Sequence, residues 1–575
     1  MLSDDLPRDW WKRAVVYHVY PRSFSDSDGD GVGDLCGVIS RLAHLQRLGV
    51  DVLWLGPVYR SPQDDNGYDI SDYQDVDPLF GTLADLDELI ARAHEHGIRV
   101  LMDLVVNHTS DEHAWFVDSR SSRTSDRRDW YVWRPPREGH VGGEPGAEPN
   151  NWGSFFSGSA WEWDAATGEY YLHLFSRKQP DLDWENPSVR EAVFTMMRWW
   201  LDRGVDGFRM DVINLIDKPE GLPDGELRPG DLWGQMFPLV ATGPRVHDHL
   251  QQMHREVFAD HPRAFLTVGE MPGVTAEEAR LFTDPARDEV DMVFQFEHVD
   301  LGGGPGGKFD RVPMGMPQLR ENLMHWQVEL AEVGWNSLYW NNHDQPRVVS
   351  RFGDDDPAWR ERSARTLATV LHTLRGTPYV YQGEELGMTN VPFSSPADFR
   401  DIESLNYVRE QTAAGVPFED LLPGLRAVGR DNARTPVQWS GAPHAGFTTG
   451  EPWIPVAPGH AEVNAESQVG VEGSVLEHYR ALIALRHDER AVSHGTVTPL
   501  AMDHPDLWAF ARGHEGTRLL TLASFTREPV RVPADLLAGW QDAEVLVPTS
   551  PEAARSVLAD GVLPGWESVV LRLRG

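Results

Sequence analysis

The chain has 575 residues, 41% hydrophobic, 25% charged and 10% aromatic, which excludes wholesale disorder and is too long for one small domain. Its 89 acidic against 52 basic residues give a formal charge of −37, which argues against nucleic acid or anionic membranes as partners, since both need clustered cations. The only cysteine, Cys36, rules out an internal disulfide and any Cys-based zinc site, and it fits a reducing compartment.

The opening segment MLSDDLPRDWW lacks a basic stretch followed by an apolar run, and no run of about 18 apolar residues occurs anywhere. The expectation is a soluble, cytoplasmic protein. Short β-rich runs then recur: VVYHVY (15–20), VLWLGPV (52–58), RVLMDLVV (99–106), VDGFRM (205–210), AFLTVG (264–269), MVFQF (292–296), SLYW (337–340) and PYVYQ (378–382). Helical-period segments lie between them, and those at 83–97, 189–204 and 359–376 each end in Gly, as a helix C-cap should. Eight continuous apolar strands alternating with helices predict a closed (β/α)8 TIM barrel of parallel strands. The rival is an open doubly-wound sheet, but no GxGxxG follows an early strand. Residues 107–174, rich in Pro, Gly and Trp, read as a domain inserted after the third strand, so that 1–106 and 175–496 form the barrel. A second excursion, 385–460, follows strand eight, and both sit where barrel enzymes build their sites. From 497 to 575 the pattern becomes short strands with no helices, predicting a C-terminal antiparallel β-sandwich.

Two sets of residues carry chemistry. In DSDGDGVGD (26–34), Asp26, Asp28, Asp30, Val32 and Asp34 follow the ligand spacing of a calcium loop. The twelfth position is Gly37 rather than Glu, and a strand precedes the loop, so it is not an EF-hand; the plain alternative is a solvated acidic turn. The second set ends the strands. Strand three runs into VVNHTSDEH, strand four into GFRMDVIN, strand five into TVGEMPG and strand seven into YWNNHDQPR. Barrel closure would bring together Asn107, His108, Arg209, Asp211, Glu270, His343 and Asp344. Any one Asp could be a helix N-cap, but Arg209 and His343 have no place in that reading. Convergent carboxylates suit glycoside chemistry, where one attacks an anomeric carbon and another protonates the leaving oxygen. Arg209 and Asp211, two residues apart on one strand, point to the same face.

The segments DLVVNH, GFRMDV, the Gly-Glu of TVGE, and NNHD resemble four regions of the α-amylase family of glycoside hydrolases (family 13). QDDNGYDISDY, LFSRKQPDLDWENP, VFQFEH, GTPYVYQGEELGM and RDNARTPVQW look like its oligo-1,6-glucosidase and dextran glucosidase branch, and the resemblance covers essentially the whole chain. It implies Asp211 as nucleophile, Glu270 as general acid and then base, and Asp344 as transition-state stabiliser. Arg209 would keep Asp211 ionised, while desolvation and nearby negative charge would keep Glu270 protonated. His108 and His343 would bind sugar hydroxyls, Tyr68 would stack on the ring, and Asp69 would grip the hydroxyls at its far end. Phe175 and Gln179 match further pocket residues, with core packing the alternative for Phe175; Arg430 matches another, with Arg434 its competitor.

Val212 would border the site of the second sugar and favour α-1,6 linkages. The acidic loop would hold a structural Ca2+, with the Val32 carbonyl contributing. The implied activity is a retaining, exo-acting α-glucosidase on short α-1,6-linked oligosaccharides, acting as a monomer or weak homo-oligomer. The alternatives are an α-1,4-preferring or transglycosylating α-glucosidase, or a trehalose-6-phosphate hydrolase. The last needs phosphate-binding cations, and the only lysines are Lys12, Lys178, Lys218 and Lys308. Sucrose isomerases carry an arginine-rich loop after strand six, a pattern DLGGGPGGKFDRVP lacks. Non-catalytic transporter subunits of this fold have lost the triad and carry a transmembrane helix.

Overall fold

The computed structural model describes residues 7–228 and 231–574. The eight predicted strands all form: β1 Val16–Val19, β2 Val52–Leu55, β3 Arg99–Val105, β4 Gly207–Asp211, β5 Leu266–Glu270, β6 Met292–Phe294, β7 Ser337–Leu338 and β8 Thr377–Tyr381. Their spatial order is β6-β5-β4-β3-β2-β1-β8-β7, every pairing is parallel, and a parallel bridge between Val293 and Asn336 closes the barrel.

Side-chain alternation sorts each strand between two apolar layers. Val16, Val52, Trp54, Leu101, Leu266, Val268, Met292, Phe294 and Tyr379 belong to one cluster. Val15, Tyr17, Val19, Leu53 and Leu55, from intervening positions, join a larger one with the helices. Burial on both sides is why the strands read as unbroken apolar runs. Helix Leu35–Leu48 supplies Leu35, Val38, Leu42, Leu45 and Leu48 to the larger layer at helical spacing, and stops at Gly49 with φ 93°. Fully burying one such Leu contributes about 1.5–3 kcal/mol.

Three excursions crown the C-terminal ends of the strands. Within 107–174 lie the helix Ala114–Ser121 and an antiparallel sheet in which Glu169–Leu172 pairs with both Trp133–Arg134 and Trp161–Asp164. Its core, which includes Trp152, Trp161 and Leu172, is completed by Val212, Leu215, Leu222 and Met236 from the loop after β4. The sequence pattern does not mark that loop. Lys218 fastens it, because its ammonium lies 2.8 Å from Asn107 Oδ1, 2.8 Å from Asp181 Oδ2 and 2.7 Å from the Leu215 carbonyl. After β8, helices Ile402–Ala413 and Phe418–Val428 flank a small core of their own. Asn406 donates to the Phe156 carbonyl at 3.0 Å, linking this excursion to the inserted segment.

The C-terminal region forms a five-stranded antiparallel sheet and a two-stranded ribbon, as the short strands predict. It also contains a helix, Pro551–Asp560, where the sequence reading expects none. The signals are local: Ser550 caps the Ala553 amide, Ala553 and Val557 are buried one turn apart, and Gly561 stops the helix at φ 63°. That helix supplies Ala553 and Val557 to a core shared with the strand residues Leu507, Ala509, Leu520 and Leu571. No helix among the described residues is long and apolar enough to cross a membrane.

Gly207 opens β4, the strand that carries Arg209 and Asp211. Its φ is 144°, and a Cβ there would lie 1.9 Å from the Leu266 carbonyl oxygen of β5. Gly207→Ala should therefore destabilise the protein by at least about 2 kcal/mol and lower the yield of folded enzyme. An unchanged melting temperature would show that β4 and β5 can separate locally at little cost.

Candidate active site

Arg209 sits at the base of the site, buried, with its register partners Asp103 on β3 and Val268 on β5. Its guanidinium lies 2.7 Å from Asp103 Oδ1, 2.7 Å from Asp211 Oδ1 and 2.5 Å from Glu270 Oε1. The ring of Trp54 is 5.1 Å away, and the Trp54 Nε1–H and the Tyr68 hydroxyl donate to Asp103 Oδ2 at 3.2 and 3.3 Å.

One cation cannot balance three buried carboxylates, so the cluster retains protons. Burial pushes Asp103 up to about 6 despite Arg209. Asp211 is raised well above the carboxylate range, by burial first and then by Glu270 and Asp103, with Arg209 opposing. The Arg209 guanidinium bridges Asp211 and Glu270, so the Glu270 charge sits close enough to add to burial in raising Asp211. Arg209 therefore does not simply hold Asp211 ionised, as expected from sequence. It bridges the two carboxyls, and burial together with Glu270 and Asp103 outweighs its pull on Asp211.

Asp344 lies opposite in charge character. It is the most exposed of the three expected catalytic carboxylates, at 28%, and contacts Arg434 at 2.7 Å, Arg430 at 3.2 Å and His343 at 3.4 Å. Burial works against its ionisation, but His343, Arg430 and Arg434 outweigh it and hold its pKa well below the usual range. Burial, with Arg209, Arg434 and Arg430 adding, pushes His343 down to about 3. It is therefore uncharged at neutral pH, and the arginines carry the effect there. The rivalry between Arg430 and Arg434 resolves into two tasks. Both bind Asp344 and Asp401, but Arg434 is fully buried against the His343 carbonyl, while Arg430 also reaches Asp65 at 3.0 Å.

Around these groups the Tyr68 ring stacks on His343 at 5.0 Å and 6°. His108, pushed down to about 4 by burial, has its Nε2 3.2 Å from both the Tyr68 carbonyl and Gln179 Nε2. Phe175 is half-buried, stacked on Phe155 at 4.9 Å and 5.2 Å from His108. Val212 has φ 34°, a costly conformation for a β-branched residue, and its N–H donates to Glu270 Oε2 at 3.2 Å.

Asp69 is a correction. It is fully buried and accepts from the Asp64 and Asp65 amides at 2.8 and 3.0 Å and from Ser61 Oγ at 2.9 Å, so it shapes a turn and has no free face for a sugar. Asp65 takes the position expected of it, bound by Arg430 and accepting from Gln179 Nε2 at 3.1 Å; burial pushes it up to about 7 against the pull of the arginines. QDDNGYD offers several carboxylates in a row, and spacing alone does not say which one faces inward. Asp103 and Asp401 were also missed. For Asp103 a signal existed: a lone carboxylate inside the apolar run RVLMDLVV has to be paired.

In the acidic loop, carboxylate oxygens of Asp26, Asp28 and Asp34 lie within 4.8 Å of one another; Asp30 stands outside this group and accepts from the Val32 amide at 2.8 Å. Burial raises Asp30, and Asp28, Asp26 and Asp34 add to it. On Asp26 burial is outweighed by hydrogen bonds from Thr448 and from the Gly29, Gly31 and Asp28 amides, which hold it low. Asp34 also caps helix Leu35–Leu48 through the Gly37 amide. The side-chain donors are all oxygen, which suits a hard cation.

Residues 18–495 match the model of the alpha amylase catalytic domain. The chain is 54% identical over 520 residues to an oligo-1,6-glucosidase of Halalkalibacterium halodurans, covering 90% of this chain and 91% of the relative. It is 50% identical to an oligo-1,6-glucosidase of Parageobacillus thermoglucosidasius, covering 99% and 100%. Its fold superposes on the crystal structure of a trehalose-6-phosphate hydrolase from Bacillus licheniformis with a TM-score of 0.90 at 43% identity, covering 98% of this chain and 100% of the other.

The Asp65 and Asp69 assignments separate cleanly. Asp65→Asn should lower kcat/KM on a small glucoside by about 100-fold, the loss of a charged hydrogen-bond partner, with the melting temperature little changed. Asp69→Ala should mainly lower the melting temperature. The opposite pattern would return Asp69 to the pocket.

Proposed function

Because the chain belongs to the alpha-amylase family, we propose that it is a retaining, exo-acting α-glucosidase that releases α-glucose from the non-reducing end of short α-1,6-linked oligosaccharides. The observation that carries this reading is the Arg209 guanidinium bridging Asp211 and Glu270, faced by an Asp344 that two arginines hold ionised. In the proposed reaction Glu270 carries the proton and Asp211 is the carboxylate that attacks the anomeric carbon. Glu270 gives that proton to the glycosidic oxygen as the bond to the second sugar breaks, leaving a β-glucosyl ester on Asp211. Water then donates a proton to Glu270 and its oxygen attacks the anomeric carbon, freeing Asp211 and α-glucose. An alcohol in place of water would give transglycosylation. Asp344, anchored by two arginines, would accept hydrogen bonds from sugar hydroxyls that tighten in the transition state.

The meeting of Phe156, Asn406 and Arg430, whose guanidinium lies 4.9 Å from the Phe156 ring, supports a pocket closed at one end and hence exo action on short chains. For the trehalose-6-phosphate alternative, a phosphate needs a cation. Each lysine already has a carboxylate: Lys12 with Asp9, Lys178 with Asp111 and Glu112, Lys218 with Asp181, and Lys308 with Glu403. That leaves arginine as the side chain that would have to hold a phosphate. The acidic loop would hold a structural Ca2+ through Asp26, Asp28 and Asp34, with Asp30 and the Val32 carbonyl completing the set.

Asp211→Asn should fold and lose nearly all activity, and product NMR should show α-glucose first; β-glucose first would exclude double displacement. Isomaltose should be cleaved with a higher kcat/KM than maltose, sucrose, trehalose or trehalose 6-phosphate. Val212→Thr should narrow the gap to maltose, within the roughly 10–200-fold range of apolar discrimination. A wild-type preference for maltose would overturn the linkage and leave the α-glucosidase reading intact. EDTA should lower the melting temperature and cease to do so in an Asp28→Ala, Asp30→Ala variant, because unneutralised carboxylates repel; the same shift in that variant would move the ion elsewhere.

A further inference from the structure

Away from the residues assigned to catalysis and to calcium, Glu185, Asp217 and His249 each place one donor atom within 4.8 Å of the others. They come from three elements. Glu185 precedes helix Pro187–Asp202, Asp217 lies in the loop after β4, and His249 is on helix Val246–Met253. Asp217 and His249 are 1% and 6% exposed, and two of their atoms, Asp217 Oδ1 and His249 Nε2, make no hydrogen bond. These two orphaned atoms face each other at 4.0 Å. The other Asp217 oxygen is held by the Arg245 amide at 2.6 Å, and a Cβ on Gly243 would lie 2.7 Å from it, so the carboxylate is fixed in place. A buried polar atom without a partner is expensive, and here two of them point at the same spot.

The spot already attracts positive charge. The half-exposed Arg245 guanidinium pairs with Glu185 and stops 3.8 Å short of Asp217 Oδ1. It can swing into solvent, and it satisfies neither Asp217 Oδ1 nor His249 Nε2.

We propose that Glu185, Asp217 and His249 form a site for a single transition-metal ion of the Zn2+ class. One imidazole nitrogen and two carboxylates suit that chemistry, unlike the all-oxygen side chains of the acidic loop. Tetrahedral Zn2+ with bonds of about 2.0–2.1 Å sets its donors about 3.4 Å apart, so His249 and Asp217 close slightly and exposed Glu185 follows, with water as the fourth ligand. The ion would tie the β4 loop to two barrel helices. The same loop carries Lys218, which grips Asn107 and Asp181.

The test is titration of metal-stripped full-length protein with Co2+, read by its visible absorption, and with Zn2+, read by calorimetry and melting temperature. One equivalent of Co2+ should give an absorption band that Zn2+ abolishes, and Zn2+ should raise the melting temperature. His249→Ala and Glu185→Gln should each weaken binding at least tenfold, Arg245→Ala should strengthen it, and the Asp28→Ala, Asp30→Ala variant should leave it unchanged. Wild-type protein that takes up neither metal would overturn the proposal. So would undiminished affinity in His249→Ala or in Glu185→Gln, whose exposed position ensures that the variant folds.

Discussion

The site depends on one buried guanidinium beneath three carboxylates. Arg209 contacts Asp103, Asp211 and Glu270 together. Buried like-charged groups around a single cation cannot all ionise, so the cluster must keep protons that isolated carboxylates would lose. Asp103 tightens this constraint by adding a third negative partner to the same guanidinium.

Across the barrel mouth the balance is reversed. Arg430 and Arg434 outnumber the charge of Asp344 locally, and Asp401 and Asp65 absorb the excess. Asp344 is therefore held ionised where Asp211 is pushed toward its protonated form. Asp211, at the end of β4, and Asp344, in the loop after β7, differ in protonation because of the cations behind them, which come from different parts of the chain.

Val212 shows how far such a site departs from the most relaxed backbone. Its φ of 34° is unfavourable for Val, yet it turns the amide toward Glu270 while the side chain packs with the inserted segment's core. Strain is tolerated there because barrel and inserted-segment contacts over-determine the position. The Lys218 ammonium reinforces the same loop with fixed charge.

How much of this was legible in the sequence depends on how local each signal is. The eight strands, the glycine stops and the ends bearing Arg209, Asp211, Glu270 and Asp344 follow from periodicity, because period and capping act over a few residues. The helix Pro551–Asp560 carries the same local signals, a Ser550 cap and a Gly561 stop. Asp65 and Asp69 were not separable. Both lie in one acidic turn, and only packing against Arg430 and Gln179, which come from remote segments, decides which carboxylate faces inward. The raised pKa of Asp211 was likewise invisible, since it depends on how many charges one guanidinium must serve. The chain alone determined the order of the elements and the kinds of groups at the strand ends. The tertiary structure decided which groups touch and how they ionise, because desolvation and Coulomb interaction depend on distances between residues far apart in the chain.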